Sequence, residues 1–313
     1  METTNQAGSS PVVLGSVAGA VASPAARGRL SYYIELTKPR ILVMILVTVI
    51  MAMVTAGNSV SMWVAFHACL GTALVAASAS VMNQWLERDR DAVMNRTCRR
   101  PLPSGNVASS QAAGMGWVLV LVGSVYLAVF VNLPTMWCGL ATWGLYVWVY
   151  TPLKMLSWTN TLVGTLPGAL PVWMGWTAAE GSLIDVRAWI LLGVVVAWQL
   201  PHFMAIAYMY REQYAAAGYK MITVTDPSGR GAAWHAILGS LALIVLAVLS
   251  VPPVGLFASL LTVCAVAVAL WQTVAAIRFV RAPDMKTARR MLHVSLLHLP
   301  LTMLLILLSY WIR

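Results

Sequence analysis

Charge is what this 313-residue chain has least of: Asp, Glu, Lys and Arg make up only 10% of it, against about a quarter in ordinary soluble domains. With 60% hydrophobic residues and a mean hydropathy of +0.77, a soluble globular domain is excluded. Cysteine is also scarce. Cys69, Cys98, Cys138 and Cys264 lie far apart with no CxxC or Cys/His ligand spacing, so neither a zinc site nor a disulfide framework is indicated. The first 30 residues carry no Lys or Arg before Arg27 and have an acid at Glu2. A secretory signal needs early positive charge and a mitochondrial presequence is Arg-rich and acid-poor. Residues 1–30 therefore read as a disordered tail on a bacterial protein, leaving 31–313 as one membrane domain.

What is present is apolar sequence in long runs. A helix crosses a bilayer with about 20 such residues, and runs bounded by charges or Gly/Pro turns fall at 41–57, 62–83, 111–131, 135–153, 159–178, 187–209, 233–250, 253–277 and 291–312. The expected fold class is all-α, a polytopic bundle of nine transmembrane helices. The connecting segments are alternately short and neutral or long and basic. Eighteen of the 20 Lys and Arg fall on one side, and only Arg187 and Arg313 on the other. Positive loops stay cytoplasmic, which places the N-terminus in the cytoplasm and the C-terminus in the periplasm. The net charge of +10 is thereby explained by topology and by attraction to membrane lipid headgroups, and no nucleic-acid partner is called for.

Against that scarcity, one stretch is dense in charge. It runs Asn83-Gln84-Trp85-Leu86-Glu87-Arg88-Asp89-Arg90-Asp91 and continues Arg96-Thr97-Cys98-Arg99-Arg100-Pro101-Leu102-Pro103-Ser104-Gly105. If the second span continues as a helix through it, Asn83, Glu87 and Asp91 form one oxygen-bearing stripe rising about 6 Å per step, with Asp89 turned away. Such a donor set suits Mg²⁺, which takes one or two carboxylates and completes its shell with water and phosphate oxygens. Arg96 and Arg100 would clamp the rest of a diphosphate. The spacing alone fits a solvated helix cap equally well. Two further features favour a site: the solitary Lys154 after Tyr150-Thr151-Pro152-Leu153, and Pro201-His202-Phe203 inside the sixth span. An intramembrane Pro-His pair is costly unless it lines a cavity or finds partners; a satisfied interhelical His202 is the competing reading.

Together these residues resemble the UbiA superfamily of intramembrane prenyltransferases, whose first motif is NxxxDxxxD at the end of the second helix. Here Glu87 takes the middle position. Residues 83–105, read as NQWxERDxDAxMxRTxxRPLPSG, are similar to its heme-farnesylating branch. The likeness extends to Tyr150–Lys154, Asn160, Gly164, Gly168-Ala169, Pro171, Gly175-Trp176, the Pro-His-Phe segment and Arg211-Glu212-Gln213-Tyr214 with Gly218, roughly residues 30–310. The chain departs from other branches in offering only Glu212, beside Gln213, where they carry a second Asp-rich motif.

The resemblance implies an inner-membrane enzyme whose helices enclose a cavity capped by both motifs on the cytoplasmic side. Its substrates would be farnesyl diphosphate and heme B, its cofactor Mg²⁺ on Asn83, Glu87 and Asp91, and its product heme O. Arg96, Arg100 and Lys154 would stabilise the departing diphosphate. His202, Tyr150, Arg211, Glu212 and Tyr214 would meet the acceptor half. Heme A synthase and terminal-oxidase assembly proteins are the implied downstream partners. Prenylation of an aromatic quinone precursor is the alternative within the superfamily. A small-solute transporter is the alternative outside it, disfavoured because the acids sit at the membrane edge rather than at mid-depth.

Overall fold

The computed structural model describes residues 28–57 and 59–311. Among them every regular element is helical: α1 (Arg29–Leu36), α2 (Pro39–Thr55), α3 (Met62–Asp91), α4 (Ser109–Phe130), α5 (Leu133–Gly144), a π-helical turn (Leu145–Tyr150), α6 (Thr151–Leu156), α7 (Asn160–Ala169), α8 (Pro171–Ala178), α9 (Val186–Met209), α10 (Arg211–Ala216), α11 (Ile222–Thr225), α12 (Arg230–Ser250), α13 (Leu256–Arg281) and α14 (Met285–Trp311). Six of these, α3, α4, α9, α12, α13 and α14, are individually long and apolar enough to cross a membrane, and the pair α1 and α2, bent by 45°, makes a seventh candidate.

Among the described residues, the nine apolar segments are not all single helices. The segments expected at 135–153 and 159–178 are each assembled from short pieces. Pro152 has no N–H to give to a carbonyl one turn back, and the preceding turn widens so that the Thr151 N–H bonds Tyr146 O. The second segment breaks between Ala169 and Pro171. The expected N-terminal boundary also moves: α1 begins at Arg29, and the rest of the segment read as a tail, residues 1–27, lies outside the described residues.

Neighbours along the chain pack as neighbours in space. α3 lies against α2 and α4, α5 against α4 and α8, α9 against α7, α12 and α14, and α13 between α12 and α14. Because α14 also touches α2, the ring closes. Its largest core joins Val49 and Met53 of α2, Trp176 of α8, Leu191 and Val195 of α9, Leu243 of α12 and Ile306 of α14. The outward faces stay apolar: Val118, Leu121, Val125 and Val129 recur at helical spacing on α4, and Leu297, Leu301, Leu304 and Leu308 on α14, all exposed. Such stripes are unfavourable in water and natural in lipid.

α3 runs 30 residues without a break and carries the charged motif on its last two turns. Its end is fixed by a small satellite core. Leu36 of α1, Val81 of α3, Leu102 and Val107 of the following loop, and Ala112 of α4 are buried together. Gln84 Nε2 donates to Leu36 O at 2.7 Å, which anchors the α1–α2 corner directly beside the motif.

Candidate active site

The stripe expected on α3 forms. Asn83, Glu87 and Asp91 are all buried, while Asp89 is exposed and lies 3.5 Å from Arg88 Nη2. Each member of the stripe meets a cation brought by a different element. Lys38 Nζ, from the corner between α1 and α2, donates to Asn83 Oδ1 at 3.1 Å. Lys154 Nζ of α6 lies 2.7 Å from Glu87 Oε1, and Arg100 of the loop after α3 lies 2.7 Å from Asp91 Oδ2. Two carboxylates so close in a poorly solvated place repel, and the cations are what makes their burial tolerable.

The corner that delivers Lys38 is unusual. Lys38 has a left-handed φ of +52°, a conformation non-glycine residues seldom adopt. Pro39 disfavours the ordinary helical conformation for the residue before it, and the anchored Leu36 fixes the approach. Burial, helped by the nearby Arg100 and Lys154 cations and opposed by Glu87 and Asp91, lowers the Lys38 pKa from 10.5 to about 7.

These groups surround a cavity of about 280 Å³ whose lining includes Lys38, Asn83, Glu87, Asp91, Arg96, Arg100, Tyr146, Tyr150, Lys154, Phe203, Tyr214 and Tyr219. The π turn builds the aromatic wall. It sets the Tyr146 and Tyr150 rings 5.4 Å apart and is pinned to the stripe, since Asn83 Nδ2 donates to Thr151 Oγ1, which in turn donates to Tyr146 O. Lys154 Nζ sits 4.5 Å from the Tyr150 ring centroid. A side chain at Gly164 would collide with that ring, its Cβ falling 2.5 Å from Tyr150 Cε2. On the opposite side the Arg96 guanidinium stacks over Tyr210 at 4.6 Å and reaches the Tyr214 hydroxyl at 3.2 Å.

Two polar atoms are left over. Asp91 Oδ1 and the Tyr219 hydroxyl are buried without a hydrogen-bond partner among the described residues. Burial raises the Tyr219 pKa above its ordinary value, so the phenol keeps its proton and remains a donor. An orphan acceptor next to a carboxylate and an orphan donor in the opposite loop are what a cation and an anion would each require. No group of three or more His, Cys, Asp or Glu able to hold a metal comes together among the described residues. The donor set of two carboxylates and one amide oxygen matches a hard divalent ion that takes the rest of its shell from water and phosphate.

Of the residues singled out in the sequence, Asn83, Glu87, Asp91, Arg96, Arg100, Tyr150, Lys154 and Tyr214 therefore converge. Arg211 and Glu212 do not line the cavity: α9 ends at Met209, Arg211 stacks back on Tyr208 at 4.4 Å, and Glu212 is exposed. His202 does not line it either. Its Nδ1 lies 2.9 Å from Ser295 Oγ of α14 and its ring stacks on Trp198, while the adjacent Phe203 faces the cavity. Lys38 and Tyr219 also line the cavity, although neither spacing nor the resemblance singles them out.

The sequence profile of the UbiA prenyltransferase family matches residues 44–305. A protein of Rhodopirellula baltica named protoheme IX farnesyltransferase is 44% identical over 278 residues, covering 87% of this chain and 97% of its own length. A second of that name, from Solibacter usitatus, is 38% identical over 86% of this chain and 95% of its own length. Among solved structures, digeranylgeranylglyceryl phosphate synthase superposes with a TM-score of 0.72 at 14% identity, over 91% of this chain and 99% of that one. A UbiA homolog from Archaeoglobus fulgidus bound to DMAPP and Mg²⁺ gives 0.65 at 16% identity, over 88% and 99%.

Proposed function

The chain belongs to the UbiA prenyltransferase family, and from that premise we propose that it transfers the farnesyl group of farnesyl diphosphate to a vinyl group of heme B, giving heme O. The observation that carries this reading is the pairing of Asn83, Glu87 and Asp91 with Lys38, Lys154 and Arg100 around one cavity. An anionic diphosphate needs those cations, and a divalent ion needs those oxygens.

Asn83, Glu87 and Asp91 hold Mg²⁺ in this proposal, and the ion supplies Lewis-acid stabilisation of the leaving group. The protein does the rest. Lys38, Arg100 and Lys154 turn from the stripe toward phosphate oxygens, Arg96 closes the outer side, and the Tyr219 hydroxyl donates its free hydrogen bond. The allylic carbon–oxygen bond breaks with its electron pair leaving on the diphosphate. The Tyr146 and Tyr150 ring faces line the place where positive charge then develops on the allyl fragment. The π electrons of the vinyl group form the new carbon–carbon bond. Water captures the resulting cation and loses a proton, which completes the hydroxyethylfarnesyl substituent. His202 and Tyr214 belong to the acceptor side of this scheme, while Arg211 and Glu212 stay off the cavity wall.

The cation count and the two interrupted segments, 133–156 and 160–178, support nine crossings of a bacterial inner membrane, with α1 and the loops after α3, α6, α9 and α13 in the cytoplasm. A reporter fused near Gly105 then reads cytoplasmic and one at the C-terminus periplasmic; both on one side would refute nine crossings. The membrane domain carries the activity, and removal of residues 1–27 leaves it intact. The reaction is tested by incubating purified protein with labelled farnesyl diphosphate, heme B and an aromatic quinone precursor and weighing the products. Heme O is expected. Label moving instead to an aromatic quinone precursor, with heme B untouched, would overturn the acceptor.

A further inference from the structure

The cavity between α3, α6 and the Tyr219 loop holds about 280 Å³, less than the roughly 300–1,000 Å³ of pockets that enclose drug-sized ligands. Heme B together with a fifteen-carbon chain is larger than one such ligand. The diphosphate and the first isoprene unit fit among the charges, so a porphyrin has to approach from the apolar flank. α9 links the two regions. Phe203, Ile206 and Ala207 line the cavity, and the half-buried His202 sits beside them on the side turned to α14.

That histidine is held by a neighbour on α14. Ser295 is buried, and its hydroxyl donates to Leu292 O at 2.7 Å. The hydroxyl oxygen lies 2.9 Å from His202 Nδ1 and can accept that nitrogen's proton, in which case Nε2 carries the lone pair. The ring is also held in orientation. It lies nearly parallel to Trp198, with centroids 4.9 Å apart and planes at 27°, and Trp198 Nε1 is tied at 2.6 Å to the carbonyl of the same Ser295. One residue of α14 thus both contacts the ring of a histidine on α9 and anchors the indole on which that ring stacks. The arrangement is the one by which metal-binding histidines are prepared, with the second nitrogen donating to a fixed acceptor. It lies in the membrane, where an ionisable side chain is costly unless used.

We propose that His202 Nε2 is an axial ligand to the iron of the metalloporphyrin substrate, with Ser295 as its positioning residue and Trp198 as the face that holds the ring. This rests on the acceptor being heme B. Iron coordination would fix the porphyrin in the plane facing Phe203 and present its rim, where the vinyl groups are, toward the end of the farnesyl chain that loses diphosphate.

The test is spectroscopic and uses the full-length protein in lipid nanodiscs with ferric heme B and no farnesyl diphosphate. Wild type is expected to give the absorption and electron paramagnetic resonance of histidine-ligated heme. His202→Ala and His202→Gln are expected to lose that signature and to regain it with added imidazole, while binding farnesyl diphosphate as wild type does, which also reports that they fold. Ser295→Ala is expected to keep the signature but to weaken heme binding about tenfold, the scale of losing a metal ligand's outer partner. Unchanged spectrum and affinity in both His202 variants would overturn the ligation while leaving heme as the substrate. A wild type that binds no heme would overturn the acceptor itself.

Discussion

The ends of α3 and α9 stand on the same side of the bundle and both carry acidic and basic residues, yet they do different work. α3 keeps its helical path to Asp91, so Asn83, Glu87 and Asp91 stay on one face and are carried inward, each against a cation. α9 stops at Met209 and Tyr210 leaves the helical conformation, at φ −113° and ψ 17°. Arg211 folds back on Tyr208 and Glu212 points to solvent. What the second region delivers is aromatic: Tyr210 and Tyr214 hold Arg96, and Tyr219 brings a free hydroxyl. Whether a charged helix end becomes a site depends on whether the helix persists long enough to turn its charges inward.

The largest expected effect belongs to the α3 end. Asp91→Asn removes the carboxylate with the unpartnered oxygen, and transfer should fall by at least about 10²–10³-fold, the scale of losing a group aimed at developing charge. Farnesyl transfer to heme at saturating Mg²⁺ measures this, and a wild-type rate would break the contrast between the two regions. Lys154→Met comes next. It leaves Glu87 buried without its cation, at a cost of about 3–5 kcal/mol in stability, and transfer should drop about 10²-fold. A double-mutant cycle with Glu87→Gln should then show that the second change costs little more, because the pair acts as a unit. Additive losses would mean that the two residues serve separate purposes.

Tyr219→Phe sharpens the comparison from the other side. Deleting an unpaired buried hydroxyl should leave the melting temperature unchanged or slightly higher, since no partner is abandoned. The KM for farnesyl diphosphate should rise about tenfold or more, the worth of one hydrogen bond to a charged group at about 1.5–3 kcal/mol. A fall in stability without any change in KM would assign the hydroxyl to the fold. The smallest effect is expected at Glu212→Gln, under about twofold in both rate and stability, as for most exposed positions. A loss comparable to that of Asp91→Asn would make the α9 end a second cation site and erase the difference.

How much of this was legible in the sequence follows from how far apart the partners lie. The α3 stripe was readable because helical spacing alone puts Asn83, Glu87 and Asp91 on one face. Arg100 lies nine residues from Asp91 and could be inferred as a neighbour. Lys38 could not: it reaches Asn83 across 45 positions, and only the packing of Leu36 beneath the following loop brings the corner there. Glu212 lies off the cavity for a local reason: α9 ends at Met209, and nothing in the Tyr-Met-Tyr-Arg pattern announces that end. His202 was legible as an exceptional residue, but its bond to Ser295 crosses 93 positions and belongs to the tertiary structure. The interruptions near Tyr150 and Leu170 were hidden because apolar runs report hydrophobicity and not pitch.

The π turn also sets a phase. It gives the stretch before Thr151 one residue more than ordinary helical winding would use, and each residue turns a helix by about 100°. Regular α winding through Leu145–Tyr150 with no residue removed would rotate the Lys154 ammonium about a quarter-turn or more away from Glu87, with every side chain at the site chemically intact. A chain altered in that way would keep its hydrophobic span and its composition. It would be a correctly inserted protein whose moving part had been cut one tooth out of mesh.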